Sequence, residues 1–180
     1  DTTLCSIGSP IQLNATVPVP TPPAPTFSNT QDVAIQDNNA AATSTINVAG
    51  VQPVNLGQGV VRAVCVNIAH NNDDDLDFFL VSPGGQILEL STDNGGSGNN
   101  YTNTCFTPTA ANPITFPGPQ APSTAAPFTG NYLPEGTWSD LWDTPNRPTN
   151  GNWSIKASDD FSTIPPSPGN LLDWSITPRP

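Results

Sequence analysis

The sequence predicts an all-β fold, a jelly-roll antiparallel β-sandwich. The 180 residues include 22 prolines and 14 glycines but only 4 lysines and arginines together, and no methionine. This composition favours strands and turns over helices. Apolar residues alternate with polar ones in several short runs, and no run has helical spacing. A chain of this length is expected to form one domain with a core of its own.

The first 26 residues are expected to lie outside the sandwich. They end in a run of prolines at positions 18, 20, 22, 23 and 25, which favours a stiff extended chain. We interpret residues 1–26 as a proline-rich linker or the remnant of a preceding module. The domain boundary is placed near Phe27, so that residues 27–180 form the sandwich.

Several strands can be placed from the period of two. In the run VCVNIA, the residues Val64, Val66 and Ile68 share one face, which predicts a half-buried strand. The run LDFFLV, residues 76–81, is apolar on both faces and predicts a central strand. The SPGG sequence that follows predicts a tight turn and a hairpin with QILEL.

Two further strands are expected near the end of the chain. Trp153, Ile155 and Ala157 alternate with polar residues in the first of them. In the second, the predicted inward residues are Leu172, Trp174 and Ile176.

Charge and composition exclude several classes of function. Fifteen acidic residues against four basic ones give a net charge of −11, which repels phosphate backbones, so nucleic-acid binding is not expected. No apolar run is long enough to span a membrane. The cysteines have no Cys-x-x-Cys spacing, which argues against a structural zinc site.

The three cysteines, Cys5, Cys65 and Cys105, allow at most one disulfide within the chain. Cys65 and Cys105 both fall in predicted strands and could pair across the sandwich. The alternative, three buried or reduced thiols, remains open at this point.

The residues do not predict a catalytic site. His70 is the only histidine, no serine lies in a G-x-S-x-G sequence, and no cysteine has a histidine nearby in the sequence. A pair of catalytic carboxylates cannot be placed from the sequence. We therefore expect a non-enzymatic domain.

Two polar segments have the composition of a calcium site. Asp75 and Asp77 stand two residues apart, so an extended backbone places both carboxylates on one face, about 6.6 Å apart. The segment STDNGGSGNN adds Asp93 and Asn100 around glycines whose carbonyls can turn inward. Asp75, Asp77, Asp93 and Asn100 are the predicted ligands of Ca²⁺. A hydrated acidic loop without an ion is the alternative, and Asp73 and Asp74 are expected to belong to such a hydrated rim.

Five segments in order resemble a known family: HNNDDDLDFFLVSPGGQILEL, DNGGSGNNYTNTCF, PFTGNYLP, NGNWSIKASD and GNLLDWSI. They are similar to the P domain, or Homo B domain, which follows the subtilisin-like catalytic domain of proprotein convertases and of many bacterial secreted proteases. The resemblance covers residues 30 to 177. It implies a jelly-roll sandwich, often with calcium, that packs on a neighbouring protease domain of the same polypeptide and supports its folding or stability.

The resemblance also assigns individual residues. Asp75 matches the aspartate of the family's Asp-Leu pair, and His70 matches a family histidine that is not catalytic, so we expect a structural histidine. Thr107 and Pro108 stand where the family usually has an acidic pair. The implied location is secreted or on the surface of a bacterial cell.

A second function remains open, a carbohydrate- or protein-binding adhesion module. Tyr132, Trp138 and Trp142 are its candidate contact residues, because aromatic faces stack on sugars and anchor interfaces. The alternative role for Tyr132 and Trp138 is completion of the core. Exposed tryptophans side by side would favour binding.

Overall fold

The computed structural model describes residues 23–180 as a two-layered arrangement of β-strands. The strands in chain order are β1 (Phe27–Asn29), β2 (Val33–Ile35), β3 (Ala42–Val48), β4 (Val61–Ala69), β5 (Leu76–Val81), β6 (Ile87–Thr92), β7 (Tyr101–Phe106), β8 (Phe128–Tyr132), β9 (Gly151–Asp159) and β10 (Gly169–Pro178). Short 3₁₀ turns cover Asp73–Asp75, Ser123–Ala125 and Trp138–Leu141. Within residues 23–180 no helix has the length and apolarity needed to cross a bilayer.

The strands form two sheets. The first has the order β1-β10-β4-β7-β8, with β2 also paired to β10, and the second has the order β3-β9-β5-β6. The all-β sandwich is therefore confirmed. All named strand pairs are antiparallel except β7 and β8, which run parallel. This parallel pair departs from the antiparallel prediction because residues 107–127 return along the sheet before β8 begins.

The core follows from the alternation predicted for β5. Leu76, Phe78 and Leu80 have no exposed surface, and β5 lies between β9 and β6, which confirms a central strand. The Phe78 ring meets Tyr101 and Phe106 edge to face, with centroids 4.9 and 5.8 Å away. Burial of each such side chain contributes about 1.5–3 kcal/mol. The predicted hairpin between β5 and β6 is also present.

The alternation predicted for the last strand is wrong at one residue. Leu171 is fully buried, whereas Leu172 is 37% exposed. The pairing of β10 with β4 shifts between Leu171 and Asp173, so an irregularity changes which side chains face inward. Beyond it Trp174 and Ile176 point into the core as predicted.

A disulfide joins Cys65 and Cys105. These residues lie directly opposite each other on the neighbouring strands β4 and β7. The bond therefore lies within one sheet, and the expectation that it crosses the sandwich is wrong. Strand alternation alone does not show which strands of a sandwich are neighbours.

The predicted linker lies largely outside the described residues, since the structure describes the chain from residue 23. Cys5 and the prolines at positions 18, 20 and 22 are among the residues not described. The first described strand, β1, begins at Phe27.

Candidate functional site

An acidic cleft of about 510 Å³ lies at one end of the sandwich. It forms where three segments meet, namely the turn before β5, the loop after β6 and the loop after β9. Its lining consists of Asn72, Asp74, Asp75, Asp93, Ser97, Asp160 and Phe161. None of the four lysine and arginine side chains of the protein belongs to this lining. The cleft therefore concentrates negative charge without a neighbouring basic side chain.

The glycine-rich loop beside the cleft is held by the buried side chain of Asn94. Its amide nitrogen donates to Ser91 Oγ at 3.0 Å, to the Thr92 carbonyl at 2.9 Å and to Glu135. Its amide oxygen accepts the Ala121 N–H at 2.9 Å. With these bonds the loop backbone is fixed relative to β6 and to the segment before β8.

Gly95 lets this loop approach the turn before β5. Its φ is +98°, a conformation that favours glycine, and a Cβ there would lie 2.7 Å from Asp73 Cβ and 2.9 Å from Phe128 Cε2. The Asp73 N–H donates to the Gly98 carbonyl at 2.9 Å. The glycines therefore serve close backbone packing here, whereas their predicted role was to let backbone carbonyls turn inward.

Asp73 is buried, so the expectation that it belongs to a hydrated rim is wrong. Its side chain is 0% exposed. One carboxylate oxygen, Oδ1, accepts the Asn100 N–H at 2.7 Å, and the other, Oδ2, is buried without a hydrogen-bond partner. Burial raises the pKa of Asp73 to about 7. The hydrogen bond from the Asn100 N–H favours the charged form and partly offsets this rise. Asp74, by contrast, lines the open cleft.

Three carboxyl groups in or near the cleft, those of Asp75, Asp77 and Asp93, have raised pKa values. Burial raises the pKa of Asp77 to about 6, with the charges of Asp160 and Asp93 adding to the effect. Burial also raises the pKa of Asp75 and of Asp93, and nearby acidic side chains contribute to both shifts. The surroundings destabilise the charged form of each of these carboxyl groups. A bound cation would stabilise the charged form and lower the pKa again.

The structure brings together two of the four predicted calcium ligands. Asp75 and Asp93 line the same cleft. Asp77 lies outside its lining but close enough to Asp93 for their charges to interact. The side-chain oxygen of Asn100 accepts the His70 N–H at 3.0 Å and does not line the cleft. Among residues 23–180, no three side chains of His, Cys, Asp or Glu converge as a ligand group for one ion.

Asp160 lines the cleft but was not among the residues predicted from the sequence. The pairing of β5 with β9 places Leu76 opposite Asp159, and the Asp160 N–H donates to the Asp75 carbonyl at 3.0 Å. The sequence does show two consecutive aspartates, Asp159 and Asp160, at the end of a predicted strand, and this pair could have indicated a site residue. Their position beside Asp75 depends on a pairing between strands far apart in the sequence.

His70, which the resemblance predicts to be structural, is buried at the end of β4. Its Nε2 lies 3.0 Å from Asp159 Oδ2, and both side chains are buried. Its Nδ1 lies 2.7 Å from the Asn72 carbonyl oxygen. The Nδ1 contact holds the end of β4 against the turn before β5, and the Nε2 contact holds it against the end of β9.

The aromatic residues of the alternative hypothesis separate into two places. Trp138 and Trp142 line one groove of about 340 Å³, and both also pack against the core. Tyr132 lies elsewhere, with its hydroxyl donating to the Thr129 carbonyl at 3.2 Å and its ring edge-on to Phe128. We call the surface lined by Gly59, Val61, Pro108, Trp138 and Trp142 the tryptophan groove.

Residues 61–178, from the start of β4 to the end of β10, match the family model of the proprotein convertase P-domain. The chain belongs to this family. The P domain also shares 40% identity over 86 residues with leupeptin-inactivating enzyme 1 of Streptomyces exfoliatus. That match covers 47% of this chain and 19% of the relative, so the chain spans about a fifth of its length.

Two solved structures of Aeromonas sobria proteins are similar to the P domain. One is a serine protease in complex with a chaperone, with 16% identity, a TM-score of 0.46, and coverage of 88% of this chain and 27% of the other. The second is a serine protease from the same organism, with 16% identity, a TM-score of 0.43, and coverage of 91% and 28%.

Proposed function

We propose that this P domain is a non-catalytic accessory module of a secreted, multidomain serine protease. It packs on a neighbouring domain of the same polypeptide and stabilises it, and calcium stabilises the module itself. The observation that supports the accessory role is the match of residues 61–178 to the P-domain family model. The relative from Streptomyces, of which this chain spans about a fifth, supports a place within a longer polypeptide.

The acidic cleft supports the calcium part of the proposal. Calcium prefers carboxylate, amide and carbonyl oxygens, and it completes its coordination with water. Asp75 and Asp93 are the protein ligands we propose, with the Asn72 side chain and Asp160 in the same cleft. Since no three acidic side chains converge among residues 23–180, backbone carbonyls and water must supply the remaining oxygens.

The unpartnered oxygen of Asp73 fits the same proposal. A buried carboxylate oxygen without a partner costs free energy, and a nearby cation lowers this cost. The turn that carries Asp73 also carries Asp74 and Asp75, which line the cleft. The positive charge of a cation bound there would favour the charged forms of Asp73 and Asp75, whose pKa values burial raises.

Urea unfolding of the full chain, with calcium and with a chelator, tests the calcium part. An ion bound only by the folded state adds about 2.7 kcal/mol when its concentration is a hundredfold above Kd. We expect the midpoint to rise with calcium, and the rise to disappear in the Asp75→Asn, Asp93→Asn double variant. Asp143→Asn is the matched control, because Asp143 is exposed and does not line the cleft. An unchanged midpoint in the unaltered protein would overturn this part.

The accessory role needs a separate test on the parent polypeptide. Soluble yield and thermal midpoint of the neighbouring domain are measured with and without residues 27–180. We expect both to fall when the module is removed, because the neighbouring surface that it covers becomes exposed to water. Equal yield and midpoint in the two proteins would contradict the proposed role, whatever the result with calcium.

A further inference from the structure

We infer that Asn94 and Gly95 form a protected deamidation site, whose spontaneous modification prevents the glycine-rich loop from closing again once it has opened. Residues 93–100 form this loop, between β6 and β7. An asparagine followed by glycine is especially prone to deamidation, because glycine has no Cβ to obstruct attack on the side chain. The inference concerns the chemistry of the loop itself and does not depend on calcium.

The modification needs only water as a co-reactant. The Gly95 backbone nitrogen loses its proton and attacks Cγ of Asn94, the bond from Cγ to Nδ2 breaks, and ammonia leaves with that proton. Water then opens the resulting succinimide at either of its carbonyl groups. The product is aspartate or isoaspartate at position 94, and no group is oxidised or reduced.

In the closed loop, both reacting groups are held by the main chain of Ala121. The Ala121 N–H donates to Asn94 Oδ1 at 2.9 Å, and the Gly95 N–H donates to the Ala121 carbonyl at 2.9 Å. A deprotonated Gly95 nitrogen would face this carbonyl oxygen, so its formation is opposed while the contact persists. Asn94 is also fully buried, which keeps water from its amide group. The reaction therefore requires the loop to open.

The amide nitrogen of Asn94 is held as firmly as its oxygen. It donates to Ser91 Oγ, to the Thr92 carbonyl and to Glu135 Oε1. The same Glu135 oxygen accepts the Thr92 N–H at 2.8 Å, and the Glu135 N–H donates to the Leu90 carbonyl at 3.3 Å. Glu135 thus joins the loop to a segment outside it, so loss of its carboxylate should favour loop opening while the sandwich stays folded.

Deamidation removes the donor that the closed loop needs. A carboxylate at position 94 would face the Glu135 carboxylate and the Thr92 carbonyl, with no N–H to donate to either of them. A buried charge that meets a like charge and lacks a donor is strongly disfavoured. Isoaspartate in addition carries the main chain through Cγ, which displaces Gly95 from its close contact with Asp73. The modified loop therefore stays open.

The second Asn-Gly pair, Asn150 and Gly151, is a reference within the same chain. Asn150 Oδ1 accepts the Val51 N–H at 2.9 Å, and Asn150 Nδ2 donates to the Val51 carbonyl at 2.9 Å. Both bonds are to backbone atoms rather than to a carboxylate, and the side chain is partly exposed. A carboxylate at position 150 would keep the bond from the Val51 N–H and would contact water, so the same modification should cost less there.

Peptide mapping by mass spectrometry tests the protection. The full chain is incubated with chelator in buffer and in urea, and in urea Asn94 and Asn150 should deamidate at similar rates. In buffer, Asn94 should react at least about tenfold more slowly than in urea, because only open forms of the loop react. Equal rates at Asn94 in the two solutions would overturn the inference.

The Glu135→Ala variant tests whether local opening controls the rate. Its deamidation at Asn94 in buffer should be about tenfold faster than in the unaltered protein, because a charged acceptor of the closed loop is lost. The rate at Asn150 should not change, which excludes global unfolding as the cause. Asp143→Ala, at an exposed position, is the matched control and should leave both rates unchanged.

The Asn94→Asp and Asn150→Asp variants test the consequence of the modification. Asn94→Asp should have a lower urea unfolding midpoint than Asn150→Asp, and limited proteolysis should cleave it within residues 93–100. Asn150→Asp should resist cleavage in this loop. Equal midpoints together with equal resistance to cleavage would overturn the inference, because the loop would then close over a carboxylate as readily as over an amide.

Discussion

His70 and Asp159 connect the two sheets of the sandwich through a buried pair, with 3.0 Å between Nε2 and Oδ2. His70 directly follows β4 in one sheet, and Asp159 is the last residue of β9 in the other. Removal of the imidazole would leave the buried carboxylate without this partner. The pair therefore links the end of β4 in one sheet to the end of β9 in the other.

We expect His70→Ala to lower the free energy of unfolding by about 3 kcal/mol, because a buried charge loses its partner. Urea unfolding measures the loss. Lys156→Ala, at an exposed position on the same strand as Asp159, is the control and should change stability by less than about 0.5 kcal/mol. A His70→Ala protein as stable as the control would show that the pair contributes nothing.

Gly169 is expected to be required beside His70. A Cβ at this position would collide with the His70 ring and lie 2.8 Å from the Ala69 carbonyl oxygen. Overpacking of this kind costs about 1–3 kcal/mol, so Gly169→Ala should lower the unfolding midpoint. Gly57→Ala is the matched control, since nothing lies within 4 Å of its Cβ position. Equal midpoints for the two variants would contradict the close contact.

The disulfide should be a major source of stability. It closes a loop with a sequence separation of 40 residues, for which the loss of unfolded-state entropy corresponds to about 4 kcal/mol. The Cys65→Ala, Cys105→Ala double variant should lose a stability of this order. A reductant should lower the unaltered protein to the same level, and Cys5→Ser should have no effect. If reduction leaves the unfolding curve unchanged, the bond does not constrain the unfolded chain.

The stability of the calcium-free protein should decrease as pH rises from about 4 to 7. The pKa of Asp73 is about 7 in the folded protein and about 3.9 in an unfolded chain. The folded state therefore binds the proton more tightly, and its stabilising effect is complete below the unfolded value and lost as pH approaches the folded one. One such group gives a slope of at most about 1.4 kcal/mol per pH unit.

Asp73→Asn should reduce this slope, because the amide keeps an acceptor for the Asn100 N–H and does not titrate. Urea unfolding at several pH values, with chelator present, measures the slope of the free energy of unfolding against pH. Asp77, whose pKa is about 6, contributes with the same sign and leaves a residual slope in the variant. Asp143→Asn provides the control. A slope in Asp73→Asn equal to that of the control would show that Asp73 does not titrate in this range.

Local patterns predicted some elements because their causes are local. The turn SPGG needs only its own residues to reverse the chain, and the Ser82 N–H donates to the Gln86 carbonyl across it at 2.8 Å. The alternation in β5 follows from the strand geometry itself. The inward position of Leu172 was wrong because the irregularity in β10 arises from its pairing with β4.

The site was only partly predictable for the same physical reason. Asp75 could be identified from its own segment, whereas Asp160 reaches the cleft through the pairing of β5 with β9. Three consecutive aspartates look hydrated in the sequence. Asp73 is buried because Gly95 packs against it, and this packing depends on how the glycine-rich loop folds.

The antiparallel pairing of β1 with β10 determines how the domain responds to force. Phe27 lies opposite Ile176, so the two ends of the described chain leave the sandwich side by side. Tension applied to these ends breaks the hydrogen bonds between β1 and β10 one after another, starting at the Phe27–Ile176 end of the pair. The domain is therefore expected to yield first between β1 and β10, by peeling rather than by shear.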